Sequence, residues 1–116
     1  MKLIEAGVVI ACAVATAHAA HAAEQAYPTR PVRLVVALAA GGPTDVVMRL
    51  VAIKLSEQLG QQVVVDNRPA VGGSVAGEIV SKAPPDGYTL FAGANGTIAI
   101  APNLFAKLPF SVSRDL

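Results

Sequence analysis

The 116-residue sequence has one cysteine, Cys12. It can form no disulfide within itself and no multi-cysteine metal site. Both histidines, His18 and His21, fall within residues 1–23. The rest of the chain therefore lacks the side chain most used as a general base and metal ligand. A Ser-His-Asp set is impossible there, and no G-x-S-x-G turn occurs. Charged residues make up only 15% of the chain and the net charge is +1. That leaves no basic patch for nucleic acid. Aromatics are scarce, and past the first 23 residues there is no low-complexity tract or repeat of fixed period.

Glycine-rich turns are present, but they do not make a nucleotide site. The turn Gly41-Gly42-Pro43-Thr44-Asp45 lacks the second and third glycines of a dinucleotide fingerprint. Gly72 and Gly77 have the spacing of a phosphate loop, yet Glu78 stands where that loop needs lysine. A carboxylate there would repel phosphate.

Residues 1–23 read as a secretory signal peptide. Lys2 supplies a positive charge, Leu3 to Ala17 is apolar or small apart from Glu5, and Ala17-His18-Ala19 and Ala20-His21-Ala22 fit a small-x-small cleavage pattern. The alternative is a short membrane anchor, but the apolar run is below the ~20 residues a spanning helix needs. Cys12 matches a lipoprotein box loosely, or is simply a small apolar residue of the signal core.

From residue 24 onward, short apolar runs alternate with helical patterns. Val32–Leu38 has the β-branched content of a strand buried on both faces. Asp45–Leu59 reads as a helix with Thr44 as its N-cap. Its apolar stripe is Met48, Val51, Ala52, Leu55 and Leu59, and Gly60 is its stop. Gln62–Asp66 reads as a second strand, Gly73–Lys82 as a second, weaker helix and Tyr88–Ala92 as a third strand. A short helical segment is expected from Thr97 toward Ile100, ending before Pro102. Asn103–Leu116 reads as irregular or as one further helical turn. A β-α-β-α-β-α order predicts an α/β fold with a parallel sheet of three strands and flanking helices. All three strand-to-helix turns then share one sheet edge, where open α/β sheets bind ligands. Helix starts there favour an anion. The acids Asp45, Asp66, Glu78 and Asp86 are scattered and read as capping or solvated groups. Arg68 either holds a ligand carboxylate or pairs with Asp66, and the pairing is favoured.

The motifs become specific together. Tyr27-Pro28-Thr29-Arg30-Pro31, Gly41-Gly42-Pro43-Thr44-Asp45, Leu55-Ser56-Glu57-Gln58-Leu59-Gly60, Asn67-Arg68-Pro69, Pro85-Asp86-Gly87-Tyr88-Thr89-Leu90 and Leu108-Pro109-Phe110 occur in that order. As a set they resemble the Bug family, the periplasmic receptors of tripartite tricarboxylate transporters. The resemblance implies a non-catalytic, cofactor-free solute-binding protein with two lobes. A small carboxylate would sit in the cleft, and membrane permease subunits would be the partners. It also implies a protein roughly three times this length, so residues 24–116 are expected to form an incomplete first lobe, and the chain alone is expected to bind weakly or not at all.

Carried over from that family, the ligand-binding positions are Ala39, Ala40, Gly41, Gly42, Thr44 and Asp45 after the first strand, with Ala94, Asn95, Gly96 and Thr97 after the third. Gly72-Gly73 is a weaker candidate. The family's first loop is rich in proline and aromatics, whereas this one reads Ala37-Leu38-Ala39-Ala40-Gly41-Gly42. A looser loop is therefore expected. Two other readings stand beside this one: a remnant of a damaged gene, and a small secreted α/β enzyme without histidine.

Overall fold

The computed structural model describes residues 27–116, so the signal peptide expected at 1–23 lies outside them. Strands β1 (Val32–Val36), β2 (Val63–Asn67) and β3 (Thr89–Ala92) form one parallel sheet in the order β2-β1-β3. Val32 lies opposite Val63, and Arg33 opposite Thr89. Successive side chains of the central strand point to opposite faces. Val32, Leu34 and Val36 join Val63 and Ala52 on one face. Val35 and Ala37 join Ala76 on the other. Burial on both faces explains why β1 is apolar apart from Arg33, which pairs with Asp66.

Helix α1 (Pro43–Leu59) covers the first face, with Ala52 buried and Met48, Leu55 and Leu59 half-buried against the strands. Val51 was expected on this stripe but is 40% exposed. At 100° per residue it sits about 70° to the side of the line through Met48, Ala52, Leu55 and Leu59. The helix also starts earlier than expected. Gly42 is the cap residue, Pro43 opens the helix, and Thr44 lies inside the first turn and caps nothing. Proline suits that place because its φ is preset and it has no N–H to leave unsatisfied. Gly60 closes the helix in the left-handed region, φ 65°. Ser56 Oγ donates to the Ala52 carbonyl and accepts from Val63 N–H, which pins the start of β2 to the helix.

Helix α2 (Ser74–Ser81) follows a 3-10 turn, Val71–Gly73, and covers the opposite face. Ala76 packs there with Val35 and Ala37, flanked by Ile79, Val80 and Phe91. Between β2 and β3 the chain thus changes both its side of β1 and its face of the sheet. That is the switch point of a doubly wound fold, and it lies at the ends of β1 and β3. Phe110 returns to cover α2 at Gly77, where any side chain would overlap its ring.

After β3, helix was expected to end before Pro102. Instead a wide π turn, Gly96–Ile100, runs straight into an α turn, Ala101–Leu104; together they are α3. Ala101 N–H bonds the Gly96 carbonyl, one residue further back than in an α-helix. Pro102 has no N–H, and its ring crowds the carbonyl four residues back. A widened turn accommodates it. Asn103 Nδ2 donates to the Ala99 carbonyl at 2.9 Å. One last turn, α4 (Val112–Asp115), completes the described chain.

The amino edge of the sheet is closed by a polar clamp. Tyr27 Oη donates to the Gly87 carbonyl at 2.5 Å, and Thr29 N–H donates to Tyr88 Oη at 2.9 Å. Arg30 pairs with Asp86 at 2.9 Å and lies 4.2 Å from the centre of the Tyr88 ring. These contacts join the lead-in to the Pro85–Tyr88 turn.

Candidate functional site

Because the three strands are parallel, the loops leaving β1, β2 and β3 share the carboxyl edge. Gly42 and Gly96 follow neighbouring strands, β1 and β3. Ala39, Ala40 and Gly41 are exposed in the first loop, Gly42 is half-buried, and Thr44 and Asp45 lie in the first turn of α1. Ala94 and exposed Asn95 lead into α3, whose first turn holds exposed Gly96 and buried Thr97.

Among the described residues, neither helix start has a side-chain cap. In α1 the first ladder bond runs from Val46 N–H to the Gly42 carbonyl. The N–H groups of Thr44 and Asp45 lie ahead of that ladder, and Pro43 offers none. In α3, Thr97 and Ile98 both donate to the Ala94 carbonyl, which leaves Asn95 and Gly96 ahead of the ladder. Such donors carry partial positive charge and suit an anion.

The Asp45 side chain has a different task from its backbone. It is 3% exposed. Oδ2 accepts from Gly41 N–H at 2.9 Å and from Arg49 Nε at 3.0 Å. Arg49 also donates to Asn67 Oδ1 at 3.4 Å, and Asn67 Nδ2 donates to the Leu38 carbonyl at 3.1 Å. This chain of bonds ties both ends of the first loop to α1 and β2. The slackness expected from missing prolines is offset by it. Hydrogen bonds from Arg49 and then from Gly41 hold the carboxyl at about 2. Oδ1 is buried with no partner among the described residues.

The second loop contributes more than its sequence suggested. Gly72 and Gly73 both have positive φ, 63° and 67°. A side chain at Gly73 would meet Thr97 Oγ1 at 2.6 Å, and one at Gly72 would meet Phe105 Cε2 at 2.8 Å. The glycines let the loop cross the end of β1 and rest directly on α3. Where they meet is a cavity of about 300 Å³ whose walls include Leu38, Gly73, Ala94, Thr97, Ala101 and Leu104. It gathers Ala94, Gly96 and Thr97 with Gly72 and Gly73, but Ala39 through Asp45 are not part of its wall. The sequence-predicted site is therefore divided between a cavity and an adjoining rim. Leu104 and Phe105 were missed because helix was expected to stop before Pro102. A larger hollow of about 830 Å³ runs beside β3, past Pro84, Pro85 and Arg114. It lies away from the three loops.

The acidic residues have partners: Asp45 with Arg49, Asp66 with Arg33 and Arg68, Glu78 with Lys82, and Asp86 with Arg30. Arg68 accordingly sits 2.9 Å from Asp66 in the structural role favoured from sequence. Among the described residues no three His, Cys, Asp or Glu side chains come together as metal ligands.

Residues 47–116 match the family described as the tripartite tricarboxylate transporter family receptor. A UPF0065 protein of Bordetella bronchiseptica is 43% identical over 98% of this chain and 32% of its own length. Protein BugT of Bordetella pertussis is 38% identical over 93% of this chain and 34% of its own. The chain thus spans about a third of the length of these curated relatives. Among solved structures, an R. palustris protein with adipate superposes with TM-score 0.71 and 40% identity over 75% of this chain and 29% of that one. MatC from Rhodopseudomonas palustris with bound malate gives TM-score 0.72 and 42% identity over 77% and 30%.

Proposed function

Since this chain belongs to the tripartite tricarboxylate transporter receptor family, a family of periplasmic solute-binding receptors rather than enzymes, we propose that it carries one wall of a site for a small carboxylate. The two uncapped helix starts, near Gly42 and Gly96 on adjacent strands, carry the reading. Main-chain N–H groups of Thr44, Asp45, Asn95 and Gly96 would share one carboxylate, and the ordered loop after β1 would hold its donors in place. Adipate and malate in the related structures are both small carboxylates, in keeping with this reading. The process served is uptake, with the loaded receptor delivering its ligand to permease subunits in the membrane.

Closure of two lobes is how such receptors gain affinity. One wall alone should bind weakly. Isothermal titration of the 116-residue chain with mono- and dicarboxylates is expected to give millimolar affinity, with no heat from the corresponding neutral amides. Equal binding of acid and amide would remove the reading. Micromolar affinity would remove the requirement for a second wall.

A further inference from the structure

The segment Asn67-Arg68-Pro69 ends β2 beside the first loop. Arg68 serves the sheet: its N–H donates to the Val36 carbonyl at 2.8 Å, and its side chain pairs with Asp66. Asn67 lies opposite Val36, the last residue of β1. Its side-chain amide serves the loop that follows. Nδ2 donates to the Leu38 carbonyl at the loop's start, and Oδ1 accepts from Arg49 Nη2. Arg49 in turn holds Asp45 at the loop's far end, and Asp45 Oδ2 takes the Gly41 N–H. Only one orientation of the amide suits both neighbours. Reversed, it would turn its NH2 to a guanidinium and its oxygen to a carbonyl. With Gly41 at φ 82°, the loop turns that N–H onto a buried carboxylate, and the donors left for a ligand are Thr44 and Asp45 N–H. The loop has no proline from residue 37 to 42 to stiffen it, so its shape depends on these bonds.

We propose that Asn67 is a positioning residue of the carboxylate site. Through Leu38 and through the Arg49–Asp45 pair it sets the shape of the first loop, and so the direction of the Thr44 and Asp45 N–H groups. It touches no ligand itself. This rests on the carboxylate reading of the rim and adds the residue that governs its affinity from the neighbouring strand. A loop that holds the binding shape only part of the time binds more weakly by that fraction.

The test is a pair of NMR measurements on the 116-residue chain: amide exchange at Gly41, and titration with succinate. Asn67→Ala removes both side-chain bonds. Asn67→Leu removes them but keeps a branched side chain of similar shape. Both variants are expected to speed Gly41 exchange by at least about threefold and to weaken succinate by about three- to tenfold. Tyr88→Phe, which removes one hydrogen bond at the other edge of the sheet, controls for stability and should change neither reading. Exchange of the β1 amides should be no faster in the Asn67 variants than in Tyr88→Phe. Arg49→Lys keeps a charge beside Asp45 and gives up the branch that reaches Asn67. The Arg49 side chain is half exposed, so this variant leaves the packing alone. It should weaken succinate by about two- to threefold.

Wild-type affinity in Asn67→Leu overturns the proposal, because shape alone then suffices. So does a loss in Tyr88→Phe equal to that in Asn67→Ala, which would mark a general effect of stability. If the Asn67 variants do not fold, Arg49→Lys decides, and wild-type affinity there overturns the proposal. A wild-type chain that binds no succinate removes the carboxylate reading. Gly41 exchange in Asn67→Leu then decides whether Asn67 shapes the loop.

Discussion

At the amino edge of the sheet, Tyr27, Thr29, Arg30, Asp86, Gly87 and Tyr88 satisfy one another's polar atoms across 56 to 60 residues of sequence. At the carboxyl edge, two helices begin without side-chain caps, and small residues surround them. The same sheet thus has one edge closed by polar contacts and one where, among the described residues, two helix starts carry no side-chain cap. Satisfied polar groups fix geometry; donors held in place without a partner can recognise a ligand. The family signature runs through both edges, so a motif shared with a family need not belong to its binding site.

Three changes probe this contrast. The largest expected effect is at the carboxyl edge. Gly73→Ala forces a side chain into the left-handed region and against Thr97, which should cost about 2–4 kcal/mol. Urea unfolding followed by circular dichroism measures it; a loss below about 0.5 kcal/mol would mean that the second loop does not rest on α3 as described.

The next change is seen in acid. The Asp45 carboxyl is lowered from 3.8 to about 2 by Arg49 and Gly41. A lowered folded-state value means that the ionised form stabilises the fold above 3.8, and that this contribution disappears as pH falls toward 2. Asp45→Asn should flatten that part of the stability-pH curve. An unchanged acid limb would remove Asp45 from the loop's support.

The smallest change is at the amino edge. Tyr88→Phe deletes the acceptor for Thr29 N–H and should cost about 0.5–1.5 kcal/mol. It should leave carboxylate affinity where it was. A parallel loss of affinity would mean that the two edges are not independent.

Much of the fold was legible because its signals are local. Alternating apolar runs and helical patterns place β1 through β3 and α1 within a few residues, and parallel order then puts the three turns on one edge. What was hidden depends on distant contacts. The π turn that carries helix through Pro102 is one example: a proline reads as a stop unless a widened turn precedes it. The crossing of Gly72-Gly73 onto α3 is another, since two glycines look like any turn until Thr97 and Phe105 lie against them. Asp45 reads as a first-turn acid from sequence; its ties to Gly41 and Arg49, and through Arg49 to Asn67, appear only once β2 lies beside β1.

The most direct measurement is an amide-resolved NMR titration of the isotope-labelled chain with succinate. Shifts should concentrate on the N–H groups of Thr44, Asp45, Asn95 and Gly96, while Thr29, Gly87 and Tyr88 stay still. Saturating succinate that leaves those four amides unmoved, or moves the amino edge instead, would contradict the account.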